Sequence, residues 1–111
     1  MTQRSDFEAL NDLVIDVVIP AFNEESAVGQ VIDDLPKSLI RQIVVCDNGS
    51  TDDTIQRAQS GGAQVVTERR KGYGSACQKG LQFIARAKRP PDVVVFLDAD
   101  YSDYPEELPQ L

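Results

Sequence analysis

Apolar residues in this chain come in short β-branched runs, separated by stretches whose apolar positions keep helical spacing. The run Val14 to Ile19 (Val-Ile-Asp-Val-Val-Ile) is stopped by Pro20 and predicts a strand buried on both faces. After the Ala21-Phe22-Asn23 turn, Glu24 and Glu25 open a predicted helix that buries Val28, Val31, Ile32 and Leu35. Its acidic first turn suits the helix dipole, and Pro36 ends it. Ile43 to Cys46 predicts a second strand. The turn Asp47-Asn48-Gly49-Ser50 follows, then a short helix near 52–60 with Thr51 or Asp52 as cap and Gly61-Gly62 as stop. Ala63 to Thr67 predicts a third strand. The basic loop Glu68 to Gly74 then leads to a helix near 75–88 that buries Ala76, Leu81 or Phe83, Ile84 and Ala87. Val93 to Leu97 is the most apolar strand, and Pro105 with Glu106 and Glu107 begins one more helix.

The order β-α-β-α-β-α-β predicts an α/β fold, a doubly wound, mainly parallel sheet with helices on both faces. Residues 1–12 read as a polar lead-in and 13–111 as one unit. Right-handed crossovers bring every strand-to-helix loop to the carboxyl edge of such a sheet, where ligands bind. The loops of that edge carry Asn23-Glu24, Asp47 to Ser50, Arg69 to Gly72 and Asp98-Ala99-Asp100. The opposite edge carries plain connectors. One edge is marked as the working edge.

Composition narrows the chemistry. The 111 residues carry 11 Lys plus Arg against 18 Asp plus Glu, a net charge of −7, which repels phosphate backbones and argues against nucleic acid as a partner. There are 0 His, so imidazole acid–base catalysis and Ser-His-Asp triads are excluded. Cys46 and Cys77 lie too far apart for a CxxC motif and read as buried free thiols, consistent with a reducing, cytoplasmic setting. The N-terminus is polar, unlike a signal peptide, and no apolar run approaches a membrane span.

Asp98-Ala99-Asp100 is the sharpest local feature. Alternation sends two carboxylates to one side, and two close anions are costly without a cation between them. Mg²⁺ typically takes one or two carboxylates together with diphosphate oxygens; the plainer alternative is a helix cap followed by a solvated acid. Arg69, Arg70 and Lys71 form a cationic cluster, and Gly72 and Gly74 permit close backbone approach at a helix N-terminus, together suited to a phosphate or else to a solvated loop. Asp47 to Asp52 is good turn and cap chemistry that also fits a ligand role. Glu24 serves either the helix dipole or a ligand.

Four blocks in order carry a resemblance: Val17 to Glu25, Ile43 to Thr54, Arg70 to Ala76, and Val95 to Asp100. From about residue 14 onward the chain resembles the nucleotide-binding half of the family 2 glycosyltransferases of Rossmann-like GT-A fold, similar to the dolichyl- and undecaprenyl-phosphate sugar transferases. The resemblance implies inverting transfer from a UDP- or GDP-linked sugar with Mg²⁺ or Mn²⁺. It implies that Pro20, Ala21, Phe22 and Glu24 line the nucleoside pocket, that Asp47 and Asn48 contact the base, and that Arg70 and Lys71 approach the diphosphate. Asp98, Ala99 and Asp100 would form the DxD motif, with Asp98 helping to hold the ribose or the metal and Asp100 binding the metal. A polyprenyl phosphate is one acceptor it suggests, with membrane association in the full-length parent.

Two departures qualify that picture. Many relatives carry two consecutive acids where this chain has Asp47-Asn48. Relatives also run well beyond the DxD motif into the segment that supplies the acceptor site and general base, so no catalytic base is assigned here. The chain is therefore expected to be a fragment truncated after DxD and inactive alone, with an uncovered edge at 93–97 that promotes self-association. The alternatives are a nucleotide-binding fragment without transfer activity and, more remotely, a haloacid-dehalogenase-like phosphatase, whose Asp-x-Asp belongs near the start of its domain. Dinucleotide and P-loop signatures fail on position: no glycine follows the first strand, and no GxxxxGK[ST] occurs.

Overall fold

The four apolar runs pair into one parallel sheet in the computed structural model, which describes residues 12–100. The first eleven residues of the polar lead-in and the helix expected from Pro105 lie outside those residues. The elements are β1 (Ile15–Ala21), α1 (Val28–Asp33), a 3₁₀ turn (Lys37–Leu39), β2 (Gln42–Asp47), α2 (Thr54–Ser60), β3 (Gln64–Thr67), α3 (Tyr73–Ile84) and β4 (Val93–Phe96). The strand order is β3-β2-β1-β4, with every pairing parallel.

Alternation along the strands sorts the apolar side chains into two cores, as a sheet covered on both faces requires. Val17, Ile19, Ile43 and Val45 pack with Val28, Val31, Ile32 and Leu35 on and after α1 and with Ala58 of α2. Val18, Val44 and Cys46 pack against Ala76 and Ile84 of α3 on the other face. At the amino edge of the sheet, fully buried Asp16 accepts from Nε and Nη2 of Arg41 and from Gln42 Nε2. That ion pair pins the ends of β1 and β2 far from the working edge.

Several boundaries differ from the sequence expectation. Pro20 does not stop β1; it pairs with Cys46, and the strand continues to Ala21. Val18 O accepts from Leu97 N on the β4 side, whereas Ala21 O accepts from Asn48 N on the β2 side. Pro20 therefore faces the β4 side, beyond the last β1–β4 pair at Val18 and Phe96, where its missing N–H forfeits no ladder bond. Glu24 and Glu25 precede α1 rather than forming its first turn. The N-cap of α2 is Asp53, not Thr51 or Asp52, although Asp52 Oδ1 still accepts from Thr54 N at 3.0 Å. The third helix starts at Tyr73 and ends at Ile84, earlier at both ends than expected. Leu81 is exposed, and Gly80 occupies the buried position beside Val18 and Cys46. β4 ends at Phe96, one residue short of the expected Leu97, and this most apolar strand is half-exposed, since β1 pairs it on one side only among the described residues.

Candidate functional site

In the order β3-β2-β1-β4, the chain goes to β2 after β1 and reaches β4 only by crossing back from β3. β1 and β4 therefore meet at a topological switch point, and a crevice lies at their carboxyl ends. A cleft of about 430 Å³ lies there, lined by Pro20, Ala21, Phe22, Glu24, Asn48, Lys71, Gly72, Tyr73, Ala76, Asp98, Ala99 and Asp100. The cleft gathers ten residues singled out from the sequence: Pro20, Ala21, Phe22, Glu24, Asn48, Lys71, Gly72, Asp98, Ala99 and Asp100. Asp47 and Arg70 do not line it.

Each wall has a local cause. Beyond β4 the alternation persists: Ala99 is buried with Leu97 in the core beneath α1 and α2, while Asp98 is half-buried and Asp100 exposed. Glu24 feels both carboxylates. Partial burial raises the Glu24 pKa, and the negative charges of Asp100, Asp52 and Asp98 raise it further. This corner of the cleft is short of positive charge. Among the described residues, no three acidic or thiol side chains converge to hold a metal by themselves. Two carboxylates open to a phosphate-bearing ligand are nevertheless an ordinary Mg²⁺ donor set.

The basic wall comes from the loop between β3 and α3. Lys71 Nζ donates to Asn48 O at 3.1 Å and lies 4.5 Å from the centre of the Phe22 ring, a cation–π contact inside the cleft. Gly72 has φ +117, a left-handed backbone that glycine alone adopts without strain, and it caps α3 without any side-chain hydrogen bond. The first amides of a twelve-residue helix thus open beside Lys71.

Two expected base contacts are committed elsewhere. Asp47 is buried; its Oδ2 accepts from Gly49 N and Ser50 N, and its Oδ1 accepts from Ser50 Oγ, so the carboxylate builds the turn after β2. Asn48 lines the cleft, but its amide bonds to the basic loop. Arg70 is largely exposed and pairs with Glu68 at 3.5 Å. Tyr73 and Ala76 were missed from sequence. They line the cleft because α3 begins at Tyr73, two residues earlier than expected, so its first turn lies at the cleft; the left-handed Gly72 was the available signal.

The model of the family described as "Glycosyl transferase family 2" matches residues 16–111. An uncharacterized glycosyltransferase of Mycobacterium bovis is 41% identical over 97 residues, covering 87% of this chain and 41% of the relative. Glucosyl-3-phosphoglycerate synthase from Mycobacterium tuberculosis, solved with Mn²⁺, UDP-glucose and phosphoglyceric acid, superposes with a TM-score of 0.78 at 33% identity, covering 100% of this chain and 43% of that one. The same synthase has been solved with Mg²⁺ and UDP, with a TM-score of 0.77 at 33% identity over 98% of this chain and 42% of that one. The chain thus spans less than half the length of these relatives.

Proposed function

The chain belongs to glycosyl transferase family 2, and on that footing we propose that it forms the donor-binding part of an inverting glycosyltransferase that uses a UDP-linked sugar and a divalent metal. The observation that carries this reading is the cleft itself, where Asp98 and Asp100 share one cavity with Lys71 and the N-terminus of α3. A nucleoside diphosphate needs such a pair of walls: carboxylates to hold a cation, and fixed positive charge for the remaining phosphate oxygens. UDP is preferred to GDP because the related synthase holds UDP and UDP-glucose. The phosphatase alternative falls with family membership.

Asp98 and Asp100 fit Mg²⁺ or Mn²⁺ by donor chemistry and by the local excess of negative charge that Glu24 registers. Held there, the metal would neutralise charge on the diphosphate as the sugar–phosphate bond breaks. Lys71 and the first amides of α3 would take the rest of that charge. Pro20, Ala21 and Phe22 form the apolar wall suited to the nucleoside, and exposed Tyr73 faces the same cleft. The chain is expected to bind donor without turning it over, because these groups serve the donor and none is assigned as base for the acceptor. The related synthase holds phosphoglyceric acid, so a small phosphate-bearing acceptor is preferred to the polyprenyl phosphate suggested by sequence resemblance. Among the described residues, no helix is long and apolar enough to cross a membrane.

Calorimetric titration of UDP and GDP, with and without Mn²⁺, tests this reading. Metal-dependent UDP binding that Asp100→Ala weakens at least about tenfold, the loss of about 1.4 kcal/mol, is the expected result. Binding indifferent to both metal and substitution would refute it.

A further inference from the structure

We propose that Asn48 is a positioning residue, whose side-chain amide holds the basic loop in place across the cleft and does not read the nucleobase. The inference rests on the donor-site reading above. Asn48 follows β2 directly, is 8% exposed, and is anchored by its own N–H donating to Ala21 O at 2.9 Å. Its Nδ2 donates to Glu68 O at 2.8 Å and to Arg70 O at 2.7 Å, while its Oδ1 accepts from Gly72 N at 2.9 Å. Its backbone oxygen accepts from Lys71 Nζ at 3.1 Å. One buried residue therefore ties down the loop at 68, 70, 71 and 72, immediately before α3.

The chemistry of an amide makes this arrangement specific. A primary amide has two N–H donors, and both are committed to main-chain carbonyls. Reversing it would set its oxygen against two carbonyls and its NH₂ against an N–H, so the contacts fix its orientation. Neither donor is left for a base edge. An aspartate here would still accept from Gly72 N, but it would set carboxylate oxygens against Glu68 O and Arg70 O. The loop conformation that brings Lys71 over Phe22 therefore depends on an uncharged donor at position 48. That gives the Asp47-Asn48 departure from two consecutive acids a physical consequence.

Trypsin tests the bracing directly, because Arg69, Arg70 and Lys71 are cleavage sites within the loop. Cleavage there, followed by mass spectrometry in Asn48→Ala and Asn48→Asp, should be about tenfold faster than in the unmodified chain, as expected for the loss of hydrogen bonds near 1 kcal/mol each. In the unmodified chain, hydrogen exchange at the Gly72 amide should be slowed well below the rate of an unstructured peptide, a measurement that requires no variant to fold. Titration of UDP and of uridine separates positioning from base reading. Asn48→Ala should weaken UDP about tenfold while leaving uridine unchanged, since it is the phosphate-facing loop that moves. Equal loss for both ligands would make Asn48 a base contact and overturn the proposal. Unchanged cleavage together with an unprotected Gly72 amide would overturn it as well. If the unmodified chain bound neither ligand, the donor reading would fail, and trypsin and hydrogen exchange would still decide the role of Asn48.

Discussion

Where α3 crosses the sheet, Gly80 leaves no room for a side chain: a Cβ there would lie 2.6 Å from Val18 Cγ1 and 2.8 Å from Cys46 Sγ. Gly80→Ala is therefore expected to destabilise the fold by about 1–3 kcal/mol through overpacking, despite the better helix propensity of alanine. A lower urea midpoint with an unchanged slope would show it, whereas an unchanged midpoint would mean that the helix shifts at little cost. Burial pushes the neighbouring Cys46 thiol up to about 12, and the proximity of Cys77 adds to the effect. At pH 8, alkylation should modify half-buried Cys77 well before Cys46. In the unfolded chain Cys46 ionises near its ordinary value of 9.0, so its contribution to stability is full below that pH and is lost as pH rises toward 12. Urea melts at pH 8 and pH 10.5 should reveal that loss, and Cys46→Ala should reduce it. Single residues were the level least legible in the sequence. Apolar spacing offered Leu81 or Phe83; Phe83, partly buried, packs against the core, Leu81 is exposed, and the closest position falls to its neighbour Gly80, which only the close approach of α3 to Val18 favours. Asp47 bonds within the turn that local pattern already marked, whereas the partners of the Asn48 side chain lie at Glu68, Arg70 and Gly72, in a segment that local pattern does not connect to it.

Among the elements, the loops after β1 and β2 bond reciprocally. Asn23 N donates to Ser50 Oγ at 2.8 Å, Thr51 N donates back to Asn23 Oδ1 at 2.9 Å, and Glu24 N donates to Thr54 Oγ1 at 2.8 Å. Asn23 adopts φ +51 to do so, a left-handed conformation that asparagine tolerates better than most residues. Thr54 is fully buried, so Thr54→Val should leave the Glu24 amide without its partner and cost about 1–3 kcal/mol by thermal or urea melts. Partial desolvation raises the Asp52 pKa, but hydrogen bonds from the Thr54 hydroxyl, the Thr54 amide and the Glu25 amide outweigh it and hold the carboxyl below its usual value. A lowered carboxylate contributes stability above its unfolded pKa and loses it as pH falls through the folded one. Acid unfolding should accordingly be steeper in the unmodified chain than in Asp52→Asn. The type and order of elements were readable because β-branched runs and helical spacing are local signals. Their ends were not: Pro20 stays in its strand because β4 stops short of it.

For the whole molecule, net charge and topology act together. A chain of net charge −7 recruits an anionic ligand only where its field is locally reversed, and the cleft provides Lys71 and a helix N-terminus beside a pair of carboxylates suited to a metal. The parallel sheet and its working edge were legible from the alternation of elements, as was the pairing of Asp98 and Asp100 on one side of Ala99. The proposed donor site is tested most directly by Mn²⁺, which reports its own location by paramagnetic broadening in an NMR titration with UDP present. Amide signals of Phe22, Glu24, Lys71, Gly72 and Asp98 to Asp100 should broaden first, and Asp100→Ala should abolish the effect. Broadening centred instead on the groove of Glu25, Gly29, Asp33 and Arg57 between α1 and α2, or no localised broadening, would contradict that placement.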